Sequence, residues 1–173
     1  KALQELAKEP DSIVARATFT QTAVSFIERA GSIYNQLCEY QVNLNEKIKE
    51  QVDRINEIGD EIRELNIKIR NYESNGLDKA NDLRDQRNLL LDELSEIVHI
   101  TYKEDKSGVV TVNLEGMPFV TEDTVYHIET VQVSKDSEML KPVWSYYGNV
   151  DVFNFDRIPS SMDNTDIGSL KGL

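Results

Sequence analysis

Several residue types are scarce in the 173-residue sequence, and each scarcity argues against a class of protein. The single cysteine, Cys38, cannot form an internal disulfide, and we expect it to be a small buried hydrophobic residue. The two histidines, His99 and His127, lie far apart and have no companion at metal-ligand spacing, which favours structural roles. No apolar run reaches the ~18 residues that a transmembrane helix needs. The sequence therefore predicts no disulfide framework, no metal site and no membrane span.

Positive charge is scarce relative to negative charge. The chain has 19 Lys and Arg against 31 Asp and Glu, which gives a formal net charge of −12. An acidic surface repels phosphate backbones and anionic lipids, so we expect neither nucleic acid nor a membrane as a partner. The simplest interpretation of the charge is solubility.

Motifs that carry chemistry are missing as well. No serine has a nucleophile-elbow context, and no glycine-rich loop follows a strand and opens a helix to cradle a phosphate. The acidic residues Asp60, Glu61 and Glu64 fall on the predicted solvated face of a helix, where no cleft would tune them for acid–base work. We therefore predict a non-enzymatic protein with no catalytic residue and no cofactor. An enzyme with its site in the β-rich region is kept as a minor alternative.

The first part of the chain has helical periodicity. Residues 1–8 are predicted to form a short helix that ends before Pro10, and Asp11 or Ser12 is predicted to cap a long helix of about 12–73. Steps of three and four between apolar residues predict a coiled-coil seam on this helix. The apolar positions before Gln41 are Val14, Ala17, Ala23, Val24, Ile27, Ala30, Tyr34 and Leu37. After Gln41 the seam continues with Leu44, Ile48, Val52, Ile55, Ile58, Ile62, Leu65, Ile69 and Tyr72.

A second helix of about 78–98 is predicted after a turn at Asn75-Gly76. A short turn makes the two helices antiparallel neighbours. The second helix can cover only the nearer part of the long one, so we expect the rest to meet a helix outside this sequence or another subunit. Gly31 and Gly59 each weaken a helix by about 1 kcal/mol relative to alanine, and we predict that the long helix tolerates both.

The beginning of the second helix is rich in polar groups that can bond in two directions. The side chains concerned are Asn81, Asp82, Asp85, Gln86 and Arg87. Asp and Arg can form charge-assisted hydrogen bonds to neighbouring helices. Two interpretations stay open, a structural polar network and an ordinary solvated helix surface. Neither interpretation makes this segment a ligand site.

From residue 99 the apolar pattern has a period of two, which predicts β-strands. The predicted strands cover residues 99–103, 109–114, 118–121, 124–133, 142–147 and 150–155. The expected core residues are Phe119, Trp144 and Phe153. The predicted fold class is α+β: a long antiparallel helical hairpin, or coiled-coil rod, over 1–98, and a small antiparallel β domain over 99–157. Residues 158–173 are predicted to be a linker and the start of a return segment.

Five segments, in order along the chain, resemble the hook-associated protein 1 family, the first hook–filament junction proteins of bacterial flagella. The most distinctive segment, residues 80–98, is ANDLRDQRNLLLDELSEIV. The others are ALQELAKEPDSIVARATFTQTA, NLNEKIKEQVDRINEIGDEIRELNIKI, VVTVNLEGMPFVTEDTVYHI and GSLKGL. The central β region is the variable part of the family, so residues 142–157 are not mapped onto it.

The resemblance implies an exported, extracellular structural protein whose subunits form a ring between hook and filament. The implied partners are other copies of the chain, the hook protein, the second junction protein and an export chaperone. The resemblance also implies that this sequence is a fragment without the terminal segments that form the family's inner tube. Our hypothesis is that the helix face from Val14 to Leu44 packs on a return helix of the same polypeptide, while charged faces contact neighbouring subunits.

Two other interpretations are kept open. A dimeric coiled-coil adaptor of the cytoplasm would have the same periodicity, and flagellin itself is another flagellar axial protein. The turn at Asn75-Gly76, followed by a leucine-rich helix, favours an intrachain hairpin over the adaptor. The ANDLRDQR stretch favours the junction family over flagellin.

Overall fold

The computed structural model describes residues 1–74, 79–154 and 168–173. The helices are α1 (Ala2–Lys8), α2 (Ile13–Glu73) and α3 (Asn81–Ile97). The strands are β1 (Ile100–Glu104), β2 (Val110–Leu114), β3 (Met117–Val120), β4 (Ile128–Ser134), β5 (Ser137–Trp144) and β6 (Val150–Asp151). The predicted turn at Asn75-Gly76 and residues 158–167 of the predicted linker lie outside the described residues.

The chain divides into two compact units, a first unit of Lys1–Asn43 and a second unit of Leu44–Leu173. The first unit contains α1 and the beginning of α2, and the second contains the rest of α2, α3 and the strands. The predicted division into domains of 1–98 and 99–157 with a linker of 158–173 stays a prediction.

Local capping sets the start of α2. Ser12 Oγ accepts a hydrogen bond from the backbone N–H of Ala15 at 3.3 Å, so Ser12 fills the cap position for which Asp11 was the other candidate. Arg16 ties the preceding turn to the helix, because its Nε donates to the Pro10 carbonyl at 2.7 Å. These two contacts therefore account for the start of α2 just after Pro10.

The first unit has no buried side chain. Cys38 is partly exposed, so the prediction that it is a buried hydrophobic residue is wrong. The physical reason is that nothing else in this unit packs on that part of α2, and every residue of Lys1–Asn43 keeps contact with solvent.

In the second unit, α2 and α3 run antiparallel. Three pairs of hydrogen-bonded side chains join them, Arg54–Glu93, Asn66–Arg87 and Glu73–Arg84. Residue numbers rise along α2 as they fall along α3, which only an antiparallel pair allows. The predicted α+β class, with a long helix and antiparallel sheets, is confirmed.

The strands form two sheets of three strands each, in the orders β1-β2-β3 and β4-β5-β6. The sequence predicted one meander. The strand predicted at 124–133 begins only at Ile128, because Val125 makes an isolated bridge to Val120 in the first sheet. The strand predicted from Pro142 begins five residues earlier at Ser137, because a two-residue turn pairs Ser134 with Ser137 as a hairpin.

One hydrophobic core joins α2, α3 and both sheets in the second unit. The seam residues of α2 from Ile48 to Ile69 are buried, whereas Tyr72 at the predicted end of the seam is 56% exposed. The predicted core residues Phe119, Trp144 and Phe153 are all buried, as expected. The sheets, together with α3, therefore cover the seam.

The glycine at position 59 marks the closest approach of α2 to the first sheet. A Cβ added to Gly59 would lie 2.5 Å from Phe119 Cζ and 2.9 Å from Val125 Cγ1, closer than real Cβ atoms approach. By contrast, nothing lies within 4 Å of a Cβ added to Gly31. Close packing thus requires glycine at position 59, although glycine has a lower helix propensity than alanine.

The segment Gly168–Leu170 returns to the C-terminal end of α3. The N–H groups of Ser169 and Leu170 donate to the carbonyls of Glu96 and Ile97 at 3.3 and 3.1 Å. These bonds satisfy carbonyls that a helix end leaves without intrahelical partners. Gly168 has φ +114°, and an added Cβ would lie 2.4 Å from the Ile97 carbonyl oxygen, so only glycine fits there.

Candidate functional site

A buried arginine joins α2, α3 and the β1–β2 turn. Arg87 is 1% exposed although it carries a guanidinium group. Its Nη1 donates to Asn66 Oδ1 at 2.8 Å and to the Gly108 carbonyl at 2.6 Å. Its Nη2 lies 3.5 Å from Glu104 Oε1, which forms the ion pair. One side chain therefore contacts all three elements.

The β1–β2 turn is shaped by its own sequence. Asp105 Oδ1 accepts hydrogen bonds from the backbone N–H groups of Ser107 at 2.8 Å and Val109 at 2.9 Å. The Ser107 hydroxyl also donates to Asp105 Oδ1 at 2.7 Å, and this bond above all holds the pKa of the Asp105 carboxyl below its usual range. Gly108 follows with φ +81°, a conformation that favours glycine and presents its carbonyl to Arg87.

Burial affects the charged state of the Arg87 guanidinium. Removal from water lowers the pKa of the guanidinium, and the charge of Glu104 opposes that change. Glu104 also accepts a hydrogen bond from Arg84 Nη1. Within the described part of the chain, Arg87 Nε has no hydrogen-bond partner. A buried cation of this kind specifies geometry more than it adds stability, because desolvation offsets much of the attraction.

A second anchor lies at the N-terminus of α3. Glu73 Oε1 accepts from Arg84 Nε at 2.9 Å, and Oε2 accepts from Arg84 Nη2 at 2.8 Å. Glu73 Oε1 also accepts from the Ala80 backbone N–H at 2.9 Å, beside the helix end. These bonds, that from Arg84 above all, lower the pKa of Glu73 to about 2. The fork-to-fork pair fixes where α3 begins against the end of α2.

A third contact ties the middle of the helix pair. Arg54 on α2 donates through Nε and Nη2 to the two oxygens of Glu93 on α3, at 2.7 and 2.8 Å. The hydrogen bond from Arg54 lowers the pKa of Glu93. Both side chains keep part of their surface in water, so this pair contributes less to stability than a buried one.

The low pKa of Glu73 predicts an acid-sensitive part of the stability. A carboxyl with a folded pKa of about 2 and an ordinary value of 4.5 stabilises the fold above pH 4.5 and loses that contribution as pH falls towards 2. Glu73→Gln should therefore be less stable than the unchanged chain at pH 6, and the difference should shrink as pH falls from 4.5 to 2. Urea unfolding at several pH values measures this difference.

Glu50→Gln is the matched control for this measurement, because Glu50 is an exposed glutamate on the same helix. Its unfolding free energy should follow that of the unchanged chain at every pH. A difference between Glu73→Gln and the unchanged chain that stays constant from pH 6 to pH 2 would show that the Glu73 charge does not contribute to the anchor.

The five residues of the predicted polar network have different surroundings in the structure. Arg87 lies in the buried contact described above, and the side chains of Asn81, Asp82, Asp85 and Gln86 are exposed. Among the residues described, none of these four makes a side-chain hydrogen bond or ion pair. A network that includes all five stays a prediction.

Sequence reasoning did not single out the residues that bond to Arg87 and Arg84. Asn66 and Glu73 come from α2 and Glu104 comes from β1, whereas both arginines lie on α3. The one available signal was Asn66, a polar residue between Leu65 and Ile69 at the edge of the apolar seam. A helix-interior asparagine has low helix propensity, which indicates a specific partner.

Two other kinds of site are absent from the described ranges. In residues 1–74, 79–154 and 168–173, no group of three or more His, Cys, Asp or Glu side chains is placed to hold a metal ion. No helix in these ranges combines the length and the apolar character needed to span a membrane.

A long helix backed by a shorter antiparallel helix and two small sheets, with buried polar side chains at the joints, defines a structural packing domain of the α+β class. The particular family follows from comparison with known proteins. The family model described as "Flagellar hook-associated protein FlgK helical domain" matches residues 1–173, and the chain belongs to this family.

Two relatives support the assignment. The chain is 33% identical over 107 residues to "Flagellar hook-associated protein 1" of Bacillus subtilis (strain 168), a match that covers 62% of this chain and 21% of that protein. It is also similar, at TM-score 0.68 and 29% identity, to the solved flagellar hook junction protein FlgK from Burkholderia pseudomallei. That match covers 82% of this chain and 25% of the other. The chain thus spans about a fifth to a quarter of the length of these relatives.

Proposed function

We propose that this chain is part of a structural protein of the bacterial flagellum that joins the hook to the filament by packing of subunits along the axis. The observation that carries the proposal is the family match over residues 1–173. The names of the relatives from Bacillus subtilis and Burkholderia pseudomallei support it, since both are described as hook-associated or hook junction proteins. The protein acts by assembly and has no reaction to catalyse.

The surface of the first unit supports a role in packing. Large apolar side chains along α1 and the beginning of α2 are exposed: Leu3, Ile13, Val14, Val24, Phe26, Ile27, Ile33, Leu37, Tyr40 and Val42. Exposed apolar surface of this extent is typical of interaction sites. Because the chain spans only a fifth to a quarter of its relatives, we assign this surface to a further helix of the full-length polypeptide. Charged faces then contact neighbouring subunits.

The proposed partners follow from the junction role. Copies of the same protein would form a ring, with hook protein below and the second junction protein above, and an export chaperone would bind the full-length protein before secretion. The proposed location is the extracellular flagellum, reached by the flagellar secretion system. The net charge of −12 supports neither nucleic acid nor membrane as a partner.

The apolar periodicity of α2 no longer favours the alternative of a dimeric coiled-coil adaptor. Such a dimer would pair through Leu44–Ile69, which requires these side chains to be available to a second chain. In the second unit the seam residues from Ile48 to Ile69 are instead buried by α3 and the sheets of the same chain. The hairpin inside one polypeptide therefore accounts for the periodicity.

Deletion of the gene tests the junction role. We expect cells without the protein to carry bare hooks and to release flagellin into the medium, as seen by electron microscopy and by immunoblotting of the medium. Restoring the full-length gene in trans is the control and should restore filaments. Intact filaments after deletion would overturn the proposal, and bare hooks without flagellin in the medium would indicate that the protein is itself flagellin.

A further inference from the structure

Three asparagines of α2 bond to strand backbones in the same way. Asn66 Nδ2 donates to the Val110 carbonyl at 2.8 Å, and Asn66 Oδ1 accepts from the Val110 N–H at 3.0 Å. Asn56 makes the same pair of bonds to Ile128, at 2.9 and 3.0 Å. A side-chain amide carries the same donor and acceptor as a peptide group, so each asparagine mimics one residue of a neighbouring strand.

Asn45 repeats the arrangement with two strand residues. Its Nδ2 donates to the Glu138 carbonyl at 2.7 Å, and its Oδ1 accepts from the Leu140 N–H at 3.0 Å. Asn45 and Asn56 therefore both bind the sheet of β4, β5 and β6, and Asn66 binds the other sheet. These contacts lie within the second unit.

Each asparagine serves a place where the ladder of strands stops. β4 is the edge strand of its sheet, so Ile128 has a strand partner on one side only. β6 pairs with Val143 and Trp144 and does not reach Leu140. Likewise the pairing of β3 with β2 extends to Val112 and stops short of Val110. The amides thus occupy positions where a strand backbone would otherwise leave groups without partners.

The spacing of the three asparagines along α2 determines what their contacts do together. The successive asparagines are 11 and 10 residues apart, which corresponds to about 15 Å of helix axis between neighbours. Apolar packing alone is non-directional and would tolerate a shift of a sheet along the helix. Hydrogen bonds at three separated points are directional, and a shift by one helical turn of about 5.4 Å would break them together.

We propose that Asn45, Asn56 and Asn66 form an asparagine lock, in which side-chain amides substitute for absent strands and fix each sheet at its own axial position along α2. The lock belongs to the second unit and does not depend on the junction role proposed above. Its partner groups are backbone atoms, so it places no demand on the identity of the strand side chains.

The chain's single tryptophan reports on the lock. Trp144 is buried in β5 of the sheet that Asn45 and Asn56 hold at two points. In Asn45→Leu or Asn56→Leu one attachment remains, and quenching of Trp144 fluorescence by acrylamide should stay within about twofold of the unchanged chain. In the double variant the quenching constant should rise by at least about threefold, more than the two single effects together, because the sheet loses both attachments.

Asn88→Leu is the matched control, because Asn88 is an exposed asparagine on α3. It should leave the quenching constant unchanged. Effects of the two single variants that merely add up in the double variant would overturn the lock, since sites so far apart add when they act separately. No change in the double variant would overturn it as well.

A second variant keeps the test decisive if the double variant fails to fold. In Asn56→Asp, a charged carboxylate faces the Ile128 carbonyl at neutral pH, whereas the protonated acid again offers one donor and one acceptor. The Ile128 carbonyl oxygen repels the charged carboxylate, which raises the pKa of the new carboxyl. The two hydrogen bonds therefore return as pH falls. The charged neighbours that line the same hollow, Lys49, Asp53 and Glu129, are present in both chains.

Hydrogen exchange at the Ile128 N–H measures the recovery. Relative to the unchanged chain at the same pH, we expect a protection factor about tenfold lower at pH 7 and within about twofold at pH 3.5. Asn56→Leu should stay low at both pH values, because leucine offers no donor or acceptor. A deficit of Asn56→Asp that is the same at both pH values would show that the amide pair is not what holds this strand.

Discussion

Replacing Arg87 by alanine should lower the free energy of unfolding of the 173-residue chain by about 3 kcal/mol. The variant loses the hydrogen bonds from Nη1 to Asn66 and to Gly108, both donated by a charged group. It also leaves a void where a fully buried side chain stood. Relief of the desolvation of the guanidinium offsets part of this loss and is included in the figure. Urea unfolding followed by Trp144 fluorescence measures the change.

Asp85→Ala is the matched control for Arg87→Ala. Asp85 lies two residues earlier on the same helix, and its side chain is exposed. Its replacement should change the unfolding free energy by less than about 0.5 kcal/mol. If Arg87→Ala were as mild as Asp85→Ala, the contacts around Arg87 would not join the two helices and the turn in any energetic sense.

Adding one methyl group at position 59 should also destabilise the second unit. In Gly59→Ala the new Cβ would lie 2.5 Å from Phe119 Cζ, and Phe119 is fully buried, so the ring can move away only against other core side chains. Overpacking of this kind costs about 1–3 kcal/mol, whereas alanine gains about 1 kcal/mol of helix propensity. We expect a net loss of up to about 2 kcal/mol, measured by thermal unfolding with far-UV circular dichroism.

Gly31→Ala provides the opposite expectation on the same helix. The Cβ there has open space around it, so only the gain in helix propensity remains, up to about 1 kcal/mol. The pair therefore separates packing from propensity. Equal stabilisation by both substitutions would mean that α2 and the first sheet do not approach each other as closely as 2.5 Å requires.

The helices could be predicted from the sequence because their signals are local. The period of the apolar residues, the break at Pro10 and the cap at Ser12 all act within a few residues of the feature that they determine. The observed helix of Ile13–Glu73 accordingly agrees with the predicted 12–73. α3 begins at Asn81, slightly inside the predicted 78–98, and the Ala80 N–H just before it donates to Glu73 Oε1.

The arrangement of the strands was harder to predict, since it depends on partners distant in the sequence. Alternation located most of the strands but could not show that they form two sheets. The early start of β5 at Ser137 depends on its hairpin with β4, and the turn residues between them have no strong glycine signal. Trp144, Phe119 and Phe153 were predictable as core because large aromatic residues dominate burial.

The contacts around Arg87 and the asparagine lock lay beyond the sequence pattern. A heptad pattern records apolar positions and treats the residues between them as solvated. Asn66 and Asn56 belong to the latter group by composition, yet they bond to Val110 and Ile128 far along the chain. The identity of such backbone partners leaves no trace in their side chains, which is why only the folded structure reveals them.

The return of Gly168–Leu170 to the end of α3 has a mechanical consequence. Tension applied to the backbone at Leu170 enters α3 directly, through two hydrogen bonds to Glu96 and Ile97 and through a buried leucine. In sequence, the strands lie between the end of α3 and Gly168. A pull at Leu170 therefore reaches the helix pair without passing along the backbone of the strands.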